Sequence, residues 1–305
     1  MKVKLHHKAK VPSVSPEFLA SIRNGAPTDE SCKLVTEDVA NAVTHRMSYR
    51  TNLKLDPKQK PIMSAALETE IEMALMQYEQ QRKWKEWGLD NLKAQGAAVL
   101  MYGPPGCGKT VISKYMSKRI GRGIVEINMK DVGGKAPGHT ERMIADTYDC
   151  ARANGNKTIM FDECEAIVWD RGRAGSDSMW MVGIIDEILM QCAKYKGLQI
   201  FCTNRQDIID PALESRCFAV LQVPVPGLEE RKRLWVQKMP ERFPVRLTPL
   251  QRDALSEIAI SGRQIEMAIC REASNALATK REPHYKHLLI EVRDMHDKIA
   301  ACPGT

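Results

Sequence analysis

No stretch of this 305-residue sequence approaches the ~20 consecutive apolar residues that a membrane-crossing helix needs. The basic start, Met1-Lys-Val-Lys-Leu-His-His-Lys8, is followed by no long apolar run, so it does not read as a secretory signal. A cytoplasmic location with no membrane contact is the resulting expectation. Nine cysteines are present, but no Cys-x-x-Cys pair, and several sit inside apolar runs (Phe201-Cys202, Cys217-Phe218) where a thiol acts as a small hydrophobe. That pattern argues against a disulfide framework or a structural zinc site. No internal repeat and no low-complexity tract interrupts the chain, and Asn-Lys-x-Asp, a guanine-reading sequence, occurs nowhere.

What is present is the composition of a globular protein: 43% hydrophobic and 27% charged residues. The net charge is +7, and residues 1–60 supply most of it, with eleven Lys/Arg against six Asp/Glu (11 − 6 = +5). A basic arm of this kind attracts nucleic acid or an acidic protein, or is simply a solvated tail.

The chain divides into four stretches. Residues 1–55 carry turn formers (Pro12, Pro16, Asn24-Gly25, Pro27) and little periodicity, which predicts a largely extended arm. Over residues 56–88, Asp56-Pro57 offers a helix start, and Met63, Leu67, Ile71, Leu75 and Tyr78 recur every three or four positions as one face of an amphipathic helix that Gly88 ends. From 89 to 226, short apolar strands (97–102, 123–127, 158–161, 199–202, 218–223) alternate with helical patterns (109–120, 140–153, 179–194). Such alternation predicts an α/β domain with a five-stranded parallel sheet flanked by helices. Pro224-Val-Pro-Gly227 is a hinge-like break, and residues 227–305 read as a small all-helical domain.

Gly103-Pro104-Pro105-Gly106-Cys107-Gly108-Lys109-Thr110 matches the phosphate-loop pattern in full, with an apolar strand before it and a helix pattern from Val111 onward. Glycines let the backbone wrap a polyphosphate and turn its N–H groups inward, where the helix N-terminus adds positive potential. Lys109 would meet the β/γ-phosphates, and the Thr110 hydroxyl would be a Mg²⁺ ligand. With the guanine-reading sequence absent, ATP is the expected nucleotide. A second signal is Thr158-Ile-Met-Phe-Asp162-Glu163, an apolar strand ending in adjacent carboxylates. Asp162 is placed to hold Mg²⁺, and Glu163 to take a proton from the attacking water. The bland alternative is a capping pair at a strand-to-helix turn.

With both motifs in hand, the chain resembles the AAA+ ATPases, and more closely the AAA clade, from about Leu89 to Ile299. Gly103–Thr110 resembles the Walker A loop and Phe161-Asp-Glu-Cys-Glu-Ala-Ile167 the Walker B motif. Ile200-Phe-Cys-Thr-Asn204-Arg205 looks like the sensor-1 strand. Ile209-Asp-Pro-Ala-Leu-Glu-Ser-Arg216 looks like the segment carrying the arginine finger, and Ser261-Gly262-Arg263-Gln-Ile like sensor 2. The resemblance implies a RecA-like sheet with a helical lid, ATP hydrolysis, and an Arg216 that serves the neighbouring subunit in a homo-oligomeric ring, most often a hexamer. Arg263 would couple the γ-phosphate state to the angle between the two domains. Against these roles stand plainer ones: Asn204 as a strand-end turn residue, Arg216 as a surface arginine and Arg263 as a solvated helix residue.

The sequence departs from the family pattern at the central-pore loop, where the aligned stretch Gly133-Gly-Lys135-Ala136-Pro-Gly138 has Ala136 in the aromatic position. An alanine cannot supply the roughly 150–250 Å² that an aromatic ring buries. Lys135 could touch acidic protein or a phosphate backbone, or the stretch could be a plain surface loop. Trp169–Ser176 is left open between a second pore loop, a subunit contact and a solvated loop. The expected client is a protein to be remodelled; the alternative is a nucleic-acid-associated role through the basic arm.

Overall fold

The computed structural model describes residues 60–80, 86–88, 98–128, 139–166, 179–205 and 209–300. The arm at 1–55, the Asp56-Pro57 helix start, the pore loop around Ala136 and the loop Trp169–Ser176 lie outside the described residues.

Five apolar segments become strands: β1 Ala98–Tyr102, β2 Ile124–Asn128, β3 Thr158–Asp162, β4 Gln199–Thr203 and β5 Cys217–Gln222. They form one sheet in the order β2-β3-β4-β1-β5, and each neighbouring pair runs parallel. Helix α1 Ala65–Glu79 precedes them, and between them lie α2 Lys109–Arg119, α3 His139–Ala153, α4 Met179–Lys194 and the short α5 Pro211–Glu214. Beyond residue 227 come α6 Leu228–Lys238, α7 Pro249–Glu257, α8 Gly262–Ala278 and α9 Tyr285–Ala300, which make up the helical lid. The α/β sheet with a helical lid therefore stands as expected.

The central strands β1, β3 and β4 are buried on both faces because side chains alternate along a strand while helices cover each side. Val99, Met101, Met160, Ile200 and Cys202 point to the face packed by Leu67, Ile71 and Leu75 of α1 and Ile112 and Met116 of α2. Ala98, Leu100, Ile159, Phe161 and Phe201 point the other way, against Ile144 and Tyr148 of α3 and Ile184, Ile188 and Leu189 of α4. Each aliphatic side chain so buried contributes roughly 1.5–3 kcal/mol. Phe161 and Phe201 stack across the β3–β4 seam with ring centroids 4.9 Å apart. The lid has its own core, centred on Trp235, Leu255, Ile265, Leu288 and Val292.

Helix α1 begins later than the apolar periodicity suggests. Ser64 caps it, its hydroxyl accepting from the Leu67 N–H at 3.2 Å. Residues 60–64 are not helical, with Met63 in the sheet core and Ile62 against the lid core. Among the described residues no helix is long and apolar enough to cross a membrane.

Candidate nucleotide site

The strand order assembles the site. β1 lies between β4 and β5, and β3 lies on the far side of β4. In a parallel sheet the carboxyl ends share one edge, so the loops after β1, β3 and β4 emerge side by side there. This edge holds the Gly103–Thr110 loop, Asp162-Glu163 and Asn204.

The loop is held in a shape that glycine makes available. Gly103, Gly106 and Gly108 have φ of 150°, 78° and 100°, a region that side chains rarely adopt. Helix α2 starts directly behind, and Ile112 is the first residue whose N–H bonds back, to Gly108 O at 2.9 Å. The N–H groups of Lys109, Thr110 and Val111 precede that bond and form the free positive end of the helix.

Lys109 is buried, and its Nζ donates to Gly103 O at 2.6 Å, Pro104 O at 3.0 Å and Asn204 Oδ1 at 2.9 Å. Burial pushes its pKa below the ordinary lysine value, against the pull of Asp162 and Glu165. Thr110 Oγ1 donates to Asp162 Oδ2 at 3.0 Å, and the Glu163 N–H donates to Asp162 Oδ1 at 3.0 Å. Glu163 sits in the left-handed region at φ 53°, the sparse backbone conformation that clusters at functional sites. The Cys202 thiol, 3.4 Å from Ser113 Oγ, is pushed up to about 12 by burial and stays neutral.

Arg263 approaches from the lid. Its N–H donates to Gly106 O at 3.4 Å, and a Cβ built on Gly106 would lie 2.8 Å from Arg263 Cβ and 2.9 Å from Ser261 Oγ. Ser261 caps α8 in a capping box with Gln264. The sensor-2-like segment thus packs directly on the loop. Arg216 does not join the group. It precedes β5, whose first residue Cys217 pairs with Ala98 at the start of β1. Four residue steps of ~3.3 Å separate that level from Tyr102, about 13 Å along the sheet. The Arg216 guanidinium instead donates to Ala212 O at 2.7 Å.

One feature of the site escaped the sequence. A cleft beside Cys107 is lined by Ile62, Met63, Val223, Val225 and Gly227. The segment before α1 and the Pro224–Gly227 break thus meet next to the loop. The Pro-Val-Pro-Gly punctuation marked the second wall, whereas the first was hidden inside an apparent helix.

Residues 99–225 match the model of the family described as "ATPase family associated with various cellular activities (AAA)". The chain carries an AAA ATPase domain. The match opens within β1 and closes inside the Pro224–Gly227 break, so it covers the sheet domain and its loop. Among similar proteins, "ATPase family gene 2 protein homolog A" of Homo sapiens is 33% identical over 189 residues, 58% of this chain and 20% of that protein. "Proteasome-activating nucleotidase" of Sulfurisphaera tokodaii is 30% identical over 200 residues, 62% of this chain and 49% of that protein. "Proteasome-associated ATPase" of Streptomyces coelicolor is 28% identical over 194 residues, 56% of this chain and 33% of that protein. The chain therefore spans half or less of the length of each of these relatives.

Proposed function

We propose that this AAA protein hydrolyses ATP with Mg²⁺ in a homo-oligomeric ring and uses the cycle to remodel a protein client. The observation that carries the reading is the meeting, at one edge of the sheet, of two hydrogen-bonded pairs: Lys109 with Asn204 at 2.9 Å and Thr110 with Asp162 at 3.0 Å.

The residues present fit a magnesium–triphosphate ligand. Gly103–Thr110 is a cradle with no side chain on its three glycines. Lys109 is a desolvated cation held by carbonyl oxygens, which phosphate oxygens can replace with full negative charge. A hydroxyl and a carboxylate 3.0 Å apart are the hard oxygen donors that Mg²⁺ takes alongside water and phosphate. When bound, the ion would neutralise charge on the transferring phosphoryl group. Lys109 and the N–H groups up to Val111 bind and orient the triphosphate. Glu163 accepts the proton of the attacking water, and Asn204 orients that water from its position between loop and carboxylates. Arg216, on the opposite strand-end edge of its own sheet, serves the phosphates of a neighbouring copy, and Arg263 reports their state to the lid. The proposed boundary between sheet domain and lid is the break at 224–227, with the helix Ala65–Glu79 belonging to the core.

The client class is supported by relatives named for proteasome activation and proteasome association. The full chain is expected to bind ATP only with Mg²⁺ present, and Lys109→Ala to lose that affinity. Absence of magnesium-dependent nucleotide binding would overturn the reading. Stimulation of turnover by an unfolded protein supports the client class. Stimulation by DNA or RNA that falls steeply with salt moves the assignment to nucleic acid.

A further inference from the structure

The β3–β4 ladder stops before the site does. Its last pair is Phe161↔Phe201, and beyond it β3 turns through the left-handed Glu163 into a single 3₁₀ turn, Cys164–Ala166. Asn204 lies one residue past the end of β4, outside the ladder. Two interactions order the chain past this point, one local and one across the seam. On the β4 side, the Thr203 hydroxyl accepts from the Arg205 N–H at 3.1 Å and closes the turn locally. Across the seam, Glu165 Oε1 accepts from the Asn204 N–H at 2.7 Å.

We propose that Glu165 is a positioning residue for hydrolysis: its carboxylate anchors the Asn204 peptide and so fixes the Asn204 side-chain amide relative to Asp162 and Glu163. The proposal rests on the reading of Asn204 as the residue that orients the water.

The geometry distinguishes this role from the one assigned to Glu163, two residues earlier. Asp162 Oδ1 is occupied by the Glu163 N–H and Oδ2 by Thr110. Neither oxygen is engaged in holding Asn204. Among the described residues the Asn204 side chain itself is held through Oδ1, by Lys109, a contact that changes when Lys109 turns to phosphate. Glu165 is therefore the anchor that does not depend on the nucleotide. A carboxylate acceptor also strengthens the bond to a single backbone N–H relative to a neutral one. With that anchor lost, Asn204 retains its strand connection but not a fixed peptide orientation, and water positioning tolerates little error.

The role needs an acceptor oxygen of the right reach, not a proton acceptor, and the variants separate the two. In the full-length protein, Glu165→Ala is expected to lower kcat about tenfold to a hundredfold while KM and ATP affinity hold. Glu165→Gln keeps an Oε1 acceptor at the same distance and is expected to restore turnover close to wild type. Glu163→Gln, by contrast, stays inactive. Hydrogen exchange at the Asn204 amide gives a readout independent of activity: protected in wild type and Glu165→Gln, faster in Glu165→Ala. Where Glu165→Ala does not fold, Glu165→Asp, one methylene short, takes its place with the same expectations. A Glu165→Gln variant as slow as Glu165→Ala overturns the proposal, as does wild-type kcat or unchanged exchange in the short-chain variant. If wild type itself fails to turn over ATP, the ATPase reading falls, while the exchange comparison still decides whether Glu165 anchors Asn204.

Discussion

Asp162 has both oxygens engaged before any ligand arrives, one by Thr110 and one by the following peptide. This fixes Glu163 in a backbone conformation that costs an L-residue about 1–2 kcal/mol. Such strain persists only where the surroundings over-determine it. Glu163→Gln leaves that backbone and its hydrogen bond in place and removes only basicity. Turnover should therefore fall roughly 10²–10⁴-fold, with ATP retained; nucleotide retention against phosphate release in single-turnover runs checks this. The residues of the loop and the strand-end carboxylates were legible because each motif is contiguous and the alternation of strands and helices places them on one edge. Glu165 was seen as part of its motif, but its bond to Asn204 spans 39 residues and no local spacing encodes it. The same holds for Lys109, whose partner Asn204 is 95 residues away.

Among the elements, β1 and β5 are fastened where the loop departs. The Val223 N–H donates to Tyr102 O at 2.8 Å, and a Cβ on the next residue, Gly103, would lie 2.0 Å from Val223 O. A backbone carbonyl cannot yield as a flexible side chain can, so Gly103→Ala must separate the two strands or displace the loop. A loss of roughly 3 kcal/mol of stability is expected, together with loss of nucleotide affinity; urea unfolding and ATP titration of the same sample measure both. In the lid, Glu272 of α8 is fully buried, its oxygens accepting from Arg281 at 2.6 and 2.8 Å and from the His284 N–H at 2.8 Å. The Arg281 guanidinium and that N–H hold its pKa below the ordinary 4.5. Stability from this pairing is complete above the unfolded-state value and is lost as pH falls through the lower folded value. Wild type should accordingly resist urea better than Glu272→Gln at pH 7, with the gap closing in acid; an unchanging gap would refute the link. Helical periodicity located α8 and α9 but could not show that a buried carboxylate staples the turn between them. Periodicity also carried the helix back to Met63, because that residue is buried along with the helical ones; the Ser64 cap separates it from them.

At the scale of the molecule, the lid touches the phosphate loop through Ser261 and Arg263 at Gly106, so a change at the loop has a direct path to the lid. Arg216 has no such path to its own loop, being level with Ala98 and turned onto Ala212. If it acts on phosphate, it does so on another copy across a head-to-tail contact of the kind that closes into rings. Arg216→Ala should then bind ATP normally and lose about 10³–10⁵ in turnover, the range for arginine fingers. The decisive measurement mixes two inactive proteins. Arg216→Ala keeps its Glu163, and Glu163→Gln keeps its Arg216; both retain nucleotide and can assemble. In a random equal mixture about a quarter of head-to-tail interfaces pair an intact carboxylate with an intact finger. Activity should reappear on mixing, rise with protein concentration and vanish on dilution. An Arg216 acting within its own subunit, or acting only structurally, gives two proteins that remain inactive together at every concentration.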